Sequence, residues 1–295
     1  MNVDLGDVTL HVRDSGSGTP VVLLHGWPDT GDLWRNQVPA LTAAGYRVIA
    51  PDLRGFGASS KPTHLAAYTA PMMVGDVIGL LDALDIGRAH LVGHDWGAAI
   101  TWMTAALVPD RVASMTAMSV GNPAAFRSAG WRQREKSWYM LLFQFAGVAE
   151  RWLSDNNFRN LRDWAAHPEI ESVVQRLADP AVLTASLGLY RAILPPESLV
   201  QPAESLAQPL PPVTVPAMGV WSTGDFALIE EGMTGSARYV TGPWRYERVE
   251  GAGHWMQLDA PDTVNALLLD FLGQQQARAS ASISASHSAA ASGNS

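Results

Sequence analysis

The stretch HLVGHDWGAAI, residues 90–100, places an aspartate at the centre of a glycine-framed turn directly after an apolar run. Gly93-His94-Asp95-Trp96-Gly97 has the G-x-x-x-G spacing of a nucleophile elbow, which lifts its central side chain above a sheet edge and turns the following backbone N–H groups toward it. Serine at that centre suits attack on a carbonyl. A carboxylate suits attack on an sp³ carbon, leaving an alkyl ester on the enzyme and splitting one difficult hydrolysis into two steps. The same composition also makes an ordinary Asx turn or helix N-cap, so Asp95 needs partners. An elbow of this kind expects them in the chain order nucleophile, acid, histidine. VWSTGDFAL offers Asp225 and VEGAGHWMQLDAP offers His254, each in a glycine-containing loop after strand-like sequence. A histidine oriented by a carboxylate can take a proton from water as that water attacks the ester.

These side chains can meet only if their elements lie together at one edge of a sheet. Over the first 125 or so residues, short β-branched runs alternate with longer helical patterns, which predicts a mostly parallel twisted sheet flanked by helices. Strands are expected at 9–12, 21–25, 48–51, 90–92 and 112–118, with helices at 71–83 and 98–106. Loops containing Gly, Pro or Asp follow several of these strands, and ligands of open α/β sheets bind at the carboxyl ends of strands. Across 127–210 the β-branched runs give way to amphipathic patterns rich in Leu, Ala, Trp and Tyr, an inserted helical cap. It ends in the proline-dense connector LPPESLVQPAESLAQPLPPVTVP, where continuous helix is forbidden. Strand texture returns at 215–221 and 245–249, before a helix at 263–272. The expected organisation is a core α/β domain at 1–126, the cap at 127–210, the rest of the core at 211–273, and an Ala/Ser-rich tail at 274–295. The tail has too little apolar surface to offset its ordering entropy and is expected to be disordered.

HGWPDTGDLW, DLRGFGASSKP, GHDWG, GDFAL and GAGHWMQ together resemble the α/β-hydrolase fold epoxide hydrolases, across nearly the whole chain apart from the tail. In the cap, SWYMLLFQFAGVAE and LGLYRAIL look like the two segments in which that family places its ring-opening tyrosines, which by resemblance would be Tyr139 and Tyr190. Ala146-Gly147 stands where the first segment usually continues with Pro-Gly. Phenols of pKa about 10 can protonate or hydrogen-bond a departing alkoxide while staying neutral. His25-Gly26-Trp27-Pro28 resembles the family's HGxP motif. Pro28 has no N–H and fixes its own φ, so a Trp-Pro step, cis in one of its forms, turns the Trp27 amide inward. The backbone N–H groups of Trp27 and Trp96 are then the expected oxyanion donors. Trp27, Pro28, Trp96, Tyr139 and Tyr190 are expected to border the substrate. His25 and His94 are assigned to holding loops, and RGFGASS to packing, since it lacks the Lys-Ser/Thr ending of a phosphate loop.

Composition narrows the alternatives. A chain of 295 residues, 47% hydrophobic and 16% charged, can bury a full core. A formal net charge of -8 without a run of Lys and Arg argues against nucleic acid as a partner. The absence of Cys excludes disulfides, thiolate nucleophiles and Cys-based metal sites. The start, MNVDLGDVTL, carries Asp4 and Asp7 in place of a basic n-region, and no apolar run reaches membrane-spanning length, so a cytoplasmic protein is expected. The expected partners are a small apolar epoxide and water, with neither nucleic acid nor membrane, no metal or organic cofactor, and a homodimer left open. Four other functions share the pattern in part. Haloalkane dehalogenases resemble it in fold, nucleophile and adjacent Trp, but usually carry Asn or Glu where Trp27 stands; the similar fluoroacetate dehalogenases prefer Arg where Trp96 stands. A Ser-type esterase would lack its Ser. A non-catalytic ligand-binding protein of this fold also remains, because fold alone does not establish activity.

Overall fold

The structure is a computed structural model that describes residues 1–197 and 210–292. Eight strands form one sheet: β1 (Asn2–Asp4), β2 (Thr9–Gly16), β3 (Thr19–Leu24), β4 (Tyr46–Pro51), β5 (Ala89–His94), β6 (Val112–Met118), β7 (Ala217–Gly224) and β8 (Trp244–Gly253). Their spatial order is β1-β2-β4-β3-β5-β6-β7-β8. The β1–β2 and β2–β4 pairs are antiparallel and every other pair is parallel. The central parallel strands are covered on both faces, which is why they appear in the sequence as continuous apolar runs. Thus β5, AHLVGH, is buried at every position.

Helices α1 (Gln37–Ala43), α2 (Ala70–Ala83) and α3 (Trp96–Leu107) connect the first strands. A run of helices lies between β6 and β7: α4 (Pro123–Ser128), α5 (Trp131–Lys136), α6 (Trp138–Leu142), α7 (Val148–Ala165), α8 (Ile170–Leu177), α9 (Pro180–Ser186) and α10 (Gly188–Ile193). Helix α4 runs across the boundary expected between 126 and 127. Of the proline-dense connector, residues 198–209 lie outside the described residues.

Two features differ from the sequence-based expectation. Strand β1 and helix α1 have no counterpart in it: three residues are too few to show a period, and QVPALTA carries a proline that reads as an interruption. The final helix, Pro261–Ser292, starts close to the expected position but continues through the segment expected to be disordered. Want of apolar surface argues for disorder, but alanine is the best helix former and neither Gly nor Pro occurs from Gln274 to Ser292. Gln275 is buried and its side-chain amide donates to the carbonyl of Phe271 one turn back.

The topology decides which loops meet. Strands β3 and β5 are parallel neighbours from which β4 and β6 diverge to opposite sides, so the loops after β3 and β5 share a crevice at the carboxyl edge. On the far side, the β7–β8 register pairs Gly224 with Gly253. The residues that follow each, Asp225 and His254, therefore leave the sheet side by side.

Candidate active site

Asp95 sits between β5 and α3 with φ 53° and ψ -119°, a conformation hostile to a side chain. Close packing holds it there. A Cβ on Gly93 would lie 2.1 Å from the Gly97 carbonyl oxygen, and one on Gly97 would lie 2.0 Å from that of Leu24. The glycines let helix, turn and β3 approach as no other residue would, and they present the Asp95 carboxylate to the crevice. Gly26 serves the same approach from the facing loop, since a Cβ there would strike the Asp95 side chain at 2.3 Å.

The Trp27 N–H donates to Asp95 Oδ1 at 2.8 Å, and the Trp96 N–H donates to the same carboxylate. Burial raises the Asp95 pKa, while His254 and these two N–H groups pull it down. The Trp27–Pro28 peptide bond is cis. Both expected oxyanion donors thus point at the carboxylate.

His254 Nδ1 lies 2.9 Å from Asp225 Oδ2, and its Nε2 lies 3.7 Å from Asp95 Oδ2. The first is a hydrogen bond and the second is too long for one. Asp225 Oδ1 accepts from the N–H groups of Ala227 and Leu228 at 2.8 and 2.9 Å. Burial works to raise the Asp225 pKa, but His254 and these N–H groups outweigh it and hold it below the ordinary value. For His254, burial works to lower the pKa, and the adjacent Asp225, then Asp95, raise it instead. An Nδ1–H committed to Asp225 leaves the Nε2 lone pair of the neutral ring directed toward Asp95.

Tyr139 on α6 and Tyr190 on α10 are both buried, with ring centroids 6.1 Å apart. The Tyr190 ring also meets the Trp96 ring edge-on, centroids 5.0 Å apart. Burial raises both phenol pKa values well above normal, and the Asp95 carboxylate adds to the effect in each. Two neutral O–H groups therefore lie within the electrostatic reach of Asp95. A cavity of about 410 Å³ opens beside this group, lined by Asp95, Trp96, Met103, Phe126 and Ile193 among others.

A family model described as alpha/beta hydrolase fold matches residues 19–261. Epoxide hydrolase A of Mycobacterium tuberculosis is 35% identical, over 92% of this chain and 96% of its own length. An epoxide hydrolase of Caballeronia sordidicola is 32% identical, over 90% and 91%. A solved structure described as one of the novel epoxide hydrolases in metagenomes from hot environments has a TM-score of 0.83 at 31% identity, covering 92% of this chain and 97% of that one. The Bacillus megaterium epoxide hydrolase in complex with an inhibitor has a TM-score of 0.82 at 26% identity, covering 92% and 100%. This chain belongs to the epoxide hydrolases of the α/β-hydrolase fold.

Asp95, Asp225, His254, Trp27, Trp96, Tyr139 and Tyr190 lie together in this family member, but of the residues expected to border the substrate only Trp96 lines the cavity; Trp27, Pro28, Tyr139 and Tyr190 do not, and the structure adds other residues. His25 holds a loop: its Nδ1 lies 2.8 Å from the Gly26 carbonyl, and its Nε2 accepts from the Leu53 N–H at 2.9 Å. His94 Nε2 lies 2.9 Å from the backbone carbonyl of His254, fixing the loop that carries the catalytic candidate, and burial drops its pKa to about 3. In RGFGASS, buried Arg54 pairs with Asp76, in keeping with a packing loop. Asp29 was not legible in advance. It is 4% exposed, accepts from the Trp255 indole at 2.9 Å, and lies 3.3 Å from His167 Nε2 and 3.2 Å from Arg176 Nη2. One carboxylate thus ties the Trp27 loop to the His254 loop and to α8. Gln133 and Lys136 on α5 brace the acid loop: the Gln133 amide bonds the Ala227 carbonyl and the Ile229 N–H, and Lys136 Nζ donates to the carbonyls of Asp225 and Phe226. The aspartate in HGWPDTG was the one available signal for this second set.

Proposed function

We propose that the protein adds water to an apolar epoxide to give a vicinal diol, through an alkyl ester on Asp95. The observation that carries this is the facing arrangement of a nucleophile and two acids: an Asp95 carboxylate with Oδ1 held by the Trp27 N–H, and two buried phenols close enough to feel its charge. Asp95 Oδ2, the oxygen nearer His254, attacks a ring carbon and the C–O bond of the epoxide breaks. The departing alkoxide takes a proton from the pair Tyr139 and Tyr190, so no free alkoxide has to form. Oδ1 becomes the ester carbonyl oxygen. In the second step His254 Nε2 takes a proton from water, the water oxygen attacks the ester carbon, and the charge that develops on Oδ1 meets the N–H groups of Trp27 and Trp96 already directed at it. Asp225 orients the ring and stabilises its cation. As the tetrahedral intermediate collapses, the bond from the Asp95 carbon to the diol oxygen breaks, that oxygen takes the proton from His254, and the remaining proton of the added water returns from Asp95 through solvent to the phenolate, restoring the enzyme as the diol leaves.

A haloalkane dehalogenase would need N–H donors free to hold a halide. The Trp27 indole is engaged with the Ser186 hydroxyl at 3.2 Å, and the two phenols have no role in halide release. Among the described residues, no helix is long and apolar enough to cross a membrane. A cytoplasmic location and the assembly, monomer or homodimer, are read by fractionation and by size-exclusion measurement.

The test offers styrene oxide and a bromoalkane side by side and scores diol and bromide. Diol from the wild type, lost in Asp95→Asn and His254→Ala, is the expected result. Bromide without diol would overturn the assignment.

A further inference from the structure

Of the eight large apolar side chains that stand exposed among the described residues, five lie within 131–148: Trp131, Trp138, Leu141, Phe145 and Val148. Trp138, Leu141 and Phe145 recur at helical spacing along α6 and the turn that continues it, and Val148, which opens α7, donates its N–H to the Phe145 carbonyl at 3.1 Å. The inner side of the same turns is apolar as well, since Tyr139, Met140 and Phe143 are buried in the core. Besides the Tyr139 hydroxyl, the one polar side chain between Trp138 and Ala149 is Gln144, and its amide donates to the carbonyls of Met140 and Tyr190. A helical segment that is apolar all round has no face for water, so its outer side is built to meet something else.

Charge indicates what it meets. The chain carries a net -8, yet 131–151 holds four bases and two acids. Arg134 and Arg132, which also pairs with Glu231, stand exposed before the apolar face, and Arg151 stands exposed after it. Of the acids, Glu150 is engaged with Arg191, and Glu135 accepts from the Trp131 indole at 2.8 Å. We propose that this face of the cap docks on the surface of an anionic lipid bilayer, with Trp138, Leu141, Phe145 and Val148 entering the headgroup boundary and the arginines meeting lipid phosphates. A second copy fits less well, because a two-fold contact brings the same arginine-rich rim against itself. The run from Trp138 to Ala149 is far short of the roughly 20 residues that span a bilayer. The contact is therefore peripheral, a membrane partner of a kind that the absence of a leader-like start and of a spanning run does not exclude. Met140, on the inner side of these turns, lines the cavity beside Asp95. On the hydrolase function proposed above, docking sets the wall of that cavity against the phase in which an apolar epoxide concentrates.

Co-sedimentation with vesicles tests this on the whole protein. The wild type should bind vesicles of equimolar phosphatidylcholine and phosphatidylglycerol at least about tenfold more tightly than phosphatidylcholine alone, as about fivefold per arginine implies, and added salt should narrow the gap. Leu141→Ser with Phe145→Ser should lose vesicle binding, and Arg134→Gln with Arg151→Gln should lose the preference for phosphatidylglycerol. All four side chains are exposed, and thermal unfolding checks that each variant remains folded. No sedimentation of the wild type, equal binding to the two vesicles, binding that the first variant keeps, or a preference that the second keeps would each overturn the proposal. So would a dimer in analytical ultracentrifugation that Leu141→Ser with Phe145→Ser dissociates, which would assign the face to a second copy. Diol formation from styrene oxide is read separately on the wild type. Vesicle binding without diol keeps the docking face and removes the hydrolase, whereas diol without vesicle binding removes the docking face alone.

Discussion

At the scale of single residues, the proposed chemistry divides labour between a carboxylate, an imidazole and two phenols. Tyr139 and Tyr190 are shifted in the same direction by burial and by Asp95, and their rings lie 6.1 Å apart, so the proposed chemistry gives both access to the leaving oxygen. Replacing one with Phe should slow ring opening by roughly 10²-fold or less, and replacing both should cost about 10²–10⁴-fold or more, measured as single-turnover substrate loss. Equal, additive effects of the two changes would contradict a shared role. His254 must be neutral to act as a base. In the ester Asp95 carries no charge, so Asp225 is left to hold the His254 pKa up against burial, and the rate of ester hydrolysis should fall as pH drops through that pKa. Removing the Asp225 charge with Asp225→Asn should move the midpoint downward as well as slow the reaction, and a midpoint that did not move would show that another group is being titrated. That Asp95, Asp225 and His254 come together was legible in sequence because each follows a strand and the elbow sets their expected order. Asp29 was not, because its partners His167, Arg176 and Trp255 lie 138, 147 and 226 residues away.

At the scale of elements, the site depends on how closely α3 can approach β3. A Gly97→Ala substitution places a methyl group 2.0 Å from a backbone oxygen that cannot rotate away. The helix must shift, at about 1–3 kcal/mol, and the elbow must shift with it. Thermal unfolding should show a lower Tm and the diol assay a lower kcat; an unchanged Tm would mean that the contact is more compliant than its geometry implies. The strands that carry the site were legible because burial on both faces leaves continuous apolar runs, and their ends fell where Gly and Asp interrupt them. The C-terminal segment was not. Its composition sets low burial against high helix propensity, and the helical backbone through Ser292 follows the second.

At the scale of the whole molecule, the inserted helices are joined to the core by polar contacts at Asp29 as well as by apolar packing. Burial alone would raise the Asp29 pKa, yet the hydrogen bond to His167 and the positive charges of His167 and Arg176 bring it from 3.8 to about 2. A folded-state pKa below the unfolded value means that the carboxylate contributes stability above about pH 4, roughly 2 kcal/mol, and that this is lost as pH falls toward 2. The difference in unfolding free energy between wild type and Asp29→Asn should therefore shrink as pH falls from 5 to 2. A difference independent of pH would show that Asp29 acts by packing alone. That helices would be inserted between the two parts of the core was evident from the change in sequence texture; where they touch the core was not, since composition carries no register between distant segments.

The central claim is that the oxygen added to the epoxide comes first from Asp95. A single turnover with enzyme in excess over epoxide, run in ¹⁸O-labelled water, tests it most directly. The ester route predicts an unlabelled diol in that first turnover and ¹⁸O incorporated into the Asp95 carboxylate, found by mass spectrometry of the peptide containing it. A diol that carries ¹⁸O from the first turnover, with Asp95 unlabelled, would mean that water attacks the epoxide itself and would contradict the account.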